Sequence, residues 1–253
     1  KIYTMIFKFY EVGGKIRDEI LGLESKDVDY VAVPHETLLE QHTEAEDMFN
    51  VLVDYLTKEG FTIFLITANC FTVRAMFPKG HKYTGVADFV MARKEIGYVE
   101  GTRTPIVKPG SLYDDLERRD FTLNALARGE DGVIIDYFNG QLDLERGILR
   151  TPLDANVTMM DDPLRILRAL RFSITKGFDI HPDIYQAMEQ PNILKKLELT
   201  VSGERIREEL IKMFKHDTVK TLRRLDDIDE NVVNGFHEII FNNGLWLKPT
   251  FEQ

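Results

Sequence analysis

What this chain lacks already narrows its chemistry. It has one cysteine, Cys70, in 253 residues, which rules out an internal disulfide and a cysteine zinc knuckle and points to a reducing compartment. No apolar run approaches the ~18 residues that a transmembrane helix needs, so no membrane contact is expected. Positive charge is short: 32 Lys+Arg face 42 Asp+Glu, a formal −10. That excludes a basic coat over the whole molecule, and any contact with nucleic acid must be local. The six histidines, His35, His42, His81, His181, His216 and His237, show no ligand spacing and read as solvated or structural. The opening KIYTMIFKFY is apolar enough to suggest a secretory leader, but Lys8 interrupts it and no small-residue cleavage site follows. A strand and a cytoplasmic protein are therefore expected.

The 43% of hydrophobic residues can fill a core, and the length suits two units. Met5–Val12 reads as a strand running into Gly13-Gly14, followed by a short helix over Lys15–Leu21 and a second strand over Asp27–Val33. Apolar residues recur at three and four from Glu44 to Lys58, an amphipathic helix stopped by Gly60. Strands are expected at Phe61–Ile66, Phe71–Phe77, Val86–Ala92 and Val133–Tyr137. Between Lys94 and Leu112 three glycines and two prolines argue for a long functional loop with no regular element. From Asp161 onward the periodicity is helical. The fold class is thus α+β: a head over residues 1–150 with a mixed sheet flanked by helices, then an all-α neck and partial body over 151–253.

Three constellations carry chemistry. In the first, Gly13 and Gly14 end a strand, and Asp27 and Asp29 lie on one face of the next. Two neighbouring carboxylates repel unless a cation neutralises them, and such hard oxygen ligands suit Mg²⁺. Glycines without Cβ atoms let backbone N–H groups approach a triphosphate. Acid-x-acid triplets are cheap in so acidic a chain, about seven by chance, so the strand context carries the argument. Asp88 is the candidate third carboxylate of a two-metal site, with Glu95 as the alternative.

The second constellation, DDLERRDFTLNALA from Asp114, offers Arg119 as a phosphate fork and Asp120 as an acceptor for ribose hydroxyls; ordinary surface ion pairs are the competing reading. In the third, DDPLRILRALRF, Asp161 or Asp162 caps a helix with Pro163 in its first turn, and Arg165 and Arg168 share a face. Solvated arginines beside capping acids would look the same. An aspartate accepts from an exocyclic amino group, however, and an arginine donates to an unprotonated ring nitrogen. Asp162 with Arg165 therefore matches the Watson–Crick edges of C and A and refuses U and G.

In order, the blocks GGKIRDEILG, DVDYV, VADFVMARKE, DDLERRDFTLNALA, IIDYFNGQLDLERGILRTP, DDPLRILRALRF and VSGERIREEL closely resemble the class II tRNA nucleotidyltransferase and bacterial poly(A) polymerase family of the DNA polymerase beta superfamily. The resemblance covers roughly residues 10–215. It implies addition of C and A to the tRNA 3′ end, or that of another RNA, from CTP and ATP with two Mg²⁺ ions. Family alternatives are A-addition, CC-addition and poly(A) tailing; a non-catalytic RNA-binding homologue is a further one. It also implies metal carboxylates at Asp27 and Asp29 with Asp88 third, a triphosphate turn at Gly13, Gly14 and Arg17, and nucleotide and ribose recognition at Arg119 and Asp120, with Asn124 structural. Asp161, Asp162 and Arg165 resemble the protein template for the base, beside Arg168, and Glu204 and Arg205 resemble a motif bracing that helix. The loop from Lys94 to Leu112 is expected to flex between the C and A steps. Two departures stand out: Asp161 replaces the family's usual Glu, and family members commonly continue into longer helical domains that hold tRNA. Residues 163–224 carry 13 Lys+Arg against 8 Asp+Glu, so the acidity lies elsewhere.

Overall fold

The computed structural model describes residues 6–41 and 44–235. Along the chain run β1 (Phe7–Val12), α1 (Gly14–Ile20), β2 (Val28–Pro34), α2 (Glu36–Gln41), α3 (Ala45–Lys58), β3 (Thr62–Thr67), β4 (Thr72–Met76) and β5 (Val86–Met91). Next come β6 (Arg93–Tyr98), β7 (Pro105–Pro109), α4 (Leu112–Glu117), β8 (Ala127–Arg128), β9 (Ile134–Ile135), α5 (Gly140–Arg146) and β10 (Ile148–Leu149). The remainder is α6 (Ala155–Asp161), α7 (Leu164–Thr175), β11 (Asp179–Ile180), α8 (Pro182–Met188), α9 (Pro191–Thr200), α10 (Gly203–His216) and α11 (Thr218–Asp226). Two compact units result, Lys1–Tyr98 with Thr104–Gln141, and Val99–Arg103 with Leu142–Gln253. Among the described residues no helix is long and apolar enough to cross a membrane.

The first unit is built on a seven-stranded sheet in the order β3-β4-β5-β2-β1-β8-β9. It is mixed because β2 and β5 run parallel while β1 pairs antiparallel with β2. Alternation along the strands separates two faces. One carries Phe7, Ala32, Val73, Ala87, Phe89 and Met91, buried against Phe49, Leu52 and Leu56 of α3. The other carries Val12, Val31 and Val90 and is covered by Leu112 and Leu116 of α4. Leu52 is fully buried, and truncating such a leucine to alanine costs about 2–5 kcal/mol.

The segment expected as an irregular loop is a β-hairpin. β6 and β7 pair antiparallel with an irregularity between Glu95 and Gly97. Gly101 supplies a positive φ of 73° in the connection, and Pro105 and Pro109 sit at the two ends of β7, where they interrupt little of the ladder. The glycines and prolines mark the bulge, turn and strand ends; they do not exclude strands. β2 begins at Val28, one residue later than expected, so Asp27 precedes the ladder and is exposed.

The second unit is helical, with one addition: β10 and β11 form a two-residue parallel pair. α7 and α10 pack together, their apolar faces supplying Leu167, Leu170, Ile206 and Leu210 to the core. Three histidines are structural: Nδ1 of His35, His81 and His181 accepts from the backbone N–H of Thr37, Tyr83 and Asp183. His42 and His237 lie outside the described residues, as do Met5 and the C-terminal stretch from residue 236.

Candidate active site

Register assembles the site in the first unit. Asp29 is the Cα partner of Val12 on one side and of Asp88 on the other, and Arg74 is opposite Asp88. β1 then leads into Gly13, whose φ of 76° and ψ of −141° a side-chain-bearing residue rarely adopts. A Cβ at Gly13 would lie 3.5 Å from Arg119 Nη1 and 3.5 Å from Asp29 Oδ2. The glycine turn, a metal-type carboxylate and a guanidinium thus converge on one spot. Asp29 and Arg119 line a cavity of about 310 Å³ together with Val12, Thr72 and Asp88.

Burial raises the Asp29 carboxyl above its ordinary range, Arg119 opposes this, and the like charges of Asp88 and Asp27 add to the rise. A carboxylate strained in this way is one that a bound cation would relieve. The candidate ligands are Asp27 and Asp29. Asp88 is already held by a fork from Arg74, at 2.9 and 3.2 Å, both side chains being half-exposed. Glu95, the alternative, faces elsewhere: it pairs with Arg93 at 3.2 Å and accepts from the Tyr98 hydroxyl at 2.7 Å. Among the described residues no group of three or more His, Cys, Asp and Glu side chains is placed to hold a metal ion.

Arg119 is aimed by a residue buried beneath it. Asp115, fully buried, accepts from Arg119 Nη2 at 3.3 Å, Arg118 Nη2 at 3.1 Å and the Arg93 backbone N–H at 3.2 Å. The helix presenting Asp115 starts at Ser111, which forms a capping box with Asp114. Asp120 Oδ1 accepts from the Phe121 N–H and from Asn124 Nδ2 at 3.0 Å. Asn124 Oδ1 in turn accepts from Arg17 Nη1 at 2.6 Å. Arg17 is buried, bonded also to Asp18, and its guanidinium lies against Gly14. It therefore ties α1 to the segment carrying Asp120, with Asn124 as the link.

In the second unit Asp161 ends α6; the N-cap of α7 is Pro163, not an aspartate as expected, and Pro163 thus precedes the first turn, while Asp162 Oδ1, one residue before the cap, accepts from the Leu164 N–H at 3.2 Å. Arg103 grips both Asp162 oxygens, at 2.8 and 2.9 Å. Arg165 Nη1 donates to the Thr158 carbonyl at 2.9 Å, and the Arg168 guanidinium lies over the Phe172 ring. Glu204 and Arg205 are in the first turn of α10, where the Arg205 side chain forms a half-exposed pair with Glu208. The tie from α10 to α7 is instead the buried pair of Glu209 and Arg171. Sequence reasoning missed Arg74, Arg103, Arg171 and Glu209. For Glu209 the signal was available, an acid on the apolar face of a helix.

Two family models match. Residues 9–150 match "Poly A polymerase head domain", and residues 177–229 match "Probable RNA and SrmB- binding site of polymerase A". The chain is 35% identical over 80% of its length to a nucleotidyltransferase, lcsQ, of Purpureocillium lilacinum, covering 35% of that protein. It is 36% identical over 72% of its length to the multifunctional CCA protein of Nitrosomonas eutropha, covering 38% of it. Among solved structures, the Bacillus stearothermophilus CCA-adding enzyme in complex with CTP superposes with a TM-score of 0.68 at 28% identity, over 88% of this chain and 48% of that one. The Thermotoga maritima CCA-adding enzyme complexed with tRNA gives 0.66 at 26%, over 98% and 55%. This chain thus spans well under two thirds of the length of each.

Proposed function

The chain belongs to the poly(A) polymerase head-domain family of nucleotidyltransferases, and from that premise we propose that it adds C and A nucleotides, without a nucleic-acid template, to the 3′ end of tRNA from CTP and ATP. The observation that carries the proposal is the convergence at Gly13 of a Cβ-free turn, Asp29 and Arg119. Residues 1–150 act as the catalytic head, and 151–253 as helical neck and partial body. A tRNA-directed enzyme with one free cysteine suits the cytoplasm.

Asp27 and Asp29 would hold Mg²⁺, which supplies charge neutralisation and lowers the pKa of the primer hydroxyl. Without Cβ atoms Gly13 and Gly14 leave room for a triphosphate at the turn, the Gly13 N–H itself being donated to the Leu126 carbonyl at 3.3 Å, and Arg119, held by Asp115, points its guanidinium at the same place. In the step itself the RNA 3′ oxygen bonds to the α-phosphorus as the bond to the β-phosphate bridge breaks, and pyrophosphate leaves. The base is read by Asp162 and Arg165. Arg103 fixes the Asp162 carboxylate and leaves a lone pair on Oδ2 for an amino group, and the Thr158 carbonyl steadies Arg165.

The test is product length on a tRNA lacking its 3′ end, with CTP alone, ATP alone and both. Full CCA addition requires both; product from one nucleotide only would reassign the chain to CC-addition, A-addition or poly(A) tailing. Asp27→Ala/Asp29→Ala should abolish incorporation with the fold intact, and persistent incorporation would sink the assignment.

A further inference from the structure

The proposed chemistry gives the sheet two sides. Pyrophosphate leaves toward the Gly13 turn and Arg119, and in phosphoryl transfer the attacking and leaving oxygens stand roughly in line across the phosphorus. The RNA 3′ oxygen must then arrive from the far side of Asp29. Strand order fixes what lies there: outward from Gly13 come β1, β2 with Asp29, β5 with Asp88, and then β4. On β4, Thr72, Arg74 and Met76 are opposite Val90, Asp88 and Val86, so all three share the carboxylate face.

Thr72 is the member of that row that reaches the site. It lines the cavity of about 310 Å³ together with Asp29, Asp88 and Arg119. Among the described residues its hydroxyl meets no hydrogen-bond partner, Thr67 directly opposite on β3 included. Asp29, Asp88 and Arg119 are charged groups, Val12 and Val90 make the floor between them apolar, and Tyr30 and Phe89 stack their rings within the core on the other face of the sheet. Thr72 therefore brings the one neutral hydroxyl to this wall. Arg74, two residues along β4, adds positive charge beside it, so a terminal phosphodiester is not met by acids alone.

An RNA terminus has one group that matches. Its 3′ oxygen is committed to the phosphorus, and the vicinal 2′-hydroxyl is the next polar group on the same ribose. A threonine hydroxyl both donates and accepts, as does a 2′-hydroxyl, so the two can pair in either sense. The 2′-hydroxyl is also what distinguishes an RNA end from a DNA end. We propose that Thr72 is a specificity-determining residue for the acceptor, its hydroxyl bonding the 2′-hydroxyl of the 3′-terminal ribose. The inference rests on the nucleotide addition proposed above.

The test uses a tRNA lacking its 3′ end, prepared with either ribose or 2′-deoxyribose in its last nucleotide, and kcat/KM for each at saturating CTP. The unaltered chain should prefer the ribose end. Thr72→Val replaces the hydroxyl by a methyl at nearly equal volume and should lower kcat/KM for the ribose end about three- to tenfold, with the drop confined to that acceptor, while Thr72→Ser keeps the preference. Should Thr72→Val fail to fold, Thr72→Ala removes the same hydroxyl and must abolish the preference equally. A preference that survives loss of the hydroxyl, as it would if the 2′-hydroxyl acted only on its own 3′ neighbour, overturns the proposal. So does equal use of both ends by the unaltered chain, or a loss of the same size on both acceptors, which would put Thr72 on the incoming nucleotide. No incorporation by the unaltered chain on either acceptor is a separate result: it overturns the proposed function, and this inference with it.

Discussion

Gly13→Ala separates two contributions that the glycine turn combines. The first is conformational. At φ 76° and ψ −141° an alanine is forced into a region that costs about 1–3 kcal/mol, and at about 2–4 °C per kcal/mol for a chain of this size the melting temperature should fall by several degrees. The second is steric. The new methyl would lie 3.5 Å from both Asp29 Oδ2 and Arg119 Nη1, an ordinary contact that needs no repacking. Under the proposed function it stands, however, in the space a triphosphate oxygen would occupy at the turn. Displacing the reacting phosphate by ~1 Å costs about a hundredfold in rate.

Gly22→Ala is the control. Gly22 shares the positive φ, 73°, but a Cβ there meets nothing within 4 Å, so it should cost about 1–2 kcal/mol and leave catalysis within twofold. The assay is steady-state CTP incorporation into a tRNA acceptor, with thermal melts of both variants. A Gly13→Ala enzyme whose kcat/KM matches that of Gly22→Ala would refute the reading of Gly13 as part of the triphosphate site.

Three further outcomes are expected. Arg74→Ala removes a cation from beside the carboxylates and releases Asp88; for a dication ~6 Å away at the dielectric of water the repulsion lost is about 1.4 kcal/mol, so the Mg²⁺ concentration giving half-maximal activity should fall roughly tenfold, and an unchanged midpoint would count against Asp29 and Asp88 sharing a cation field. The Asp29 carboxyl titrates above its ordinary value in the fold, so its ionisation costs stability as pH rises from the ordinary carboxylate range through the raised value. Metal-free Asp29→Asn should therefore melt higher than the parent at pH 7, lose that advantage near pH 3–4 and show no incorporation; an equal or lower melting point at pH 7 would contradict the burial argument. Glu209→Ala leaves Arg171, 16% exposed, without its carboxylate partner and should cost about 1.5–3 kcal/mol in urea unfolding, while Arg171→Leu/Glu209→Leu regains most of it.

The sheet was legible because its strands are short runs of β-branched and aromatic residues, and β3, β4 and β5 fall within a residue or two of their expected bounds. The Lys94–Leu112 hairpin was not, because the glycines and prolines that usually break a strand here mark its bulge and ends, and only the partner strand reveals that. The site was legible where chemistry forces a residue type on the chain, at Gly13 and Asp29. It was illegible where the partner is distant in sequence: Arg74 meets Asp88 through strand register, and Arg103 meets Asp162 across 59 residues. Arg17 shows a link that sequence did not reveal: buried and bonded to Asp18 and Asn124, it also ties α1 to the segment of Asp120.

The third carboxylate is where sequence and structure most usefully disagree. Asp88 and Glu95 both have the right chemistry, yet each is held by arginine: Asp88 by the Arg74 fork, Glu95 by Arg93 with Arg118 at 3.6 Å. The two pairs differ in exposure. The Glu95 side chain is 9% exposed, so freeing it means breaking a buried network in which Asp115 also orients Arg119. The Asp88 pair is half-exposed, where water screens the attraction and such pairs contribute little, about 0–1 kcal/mol. A cation between Asp29 and Asp88 could displace Arg74 at small cost, whereas none could recruit Glu95 without dismantling the support of Arg119. Mg²⁺ in phosphoryl-transfer sites is commonly held by one or two carboxylates plus phosphate oxygens and water. Under the proposed function Asp27 and Asp29 would meet that requirement unaided, which would leave Asp88 and Arg74 to tune the charge that the pair presents.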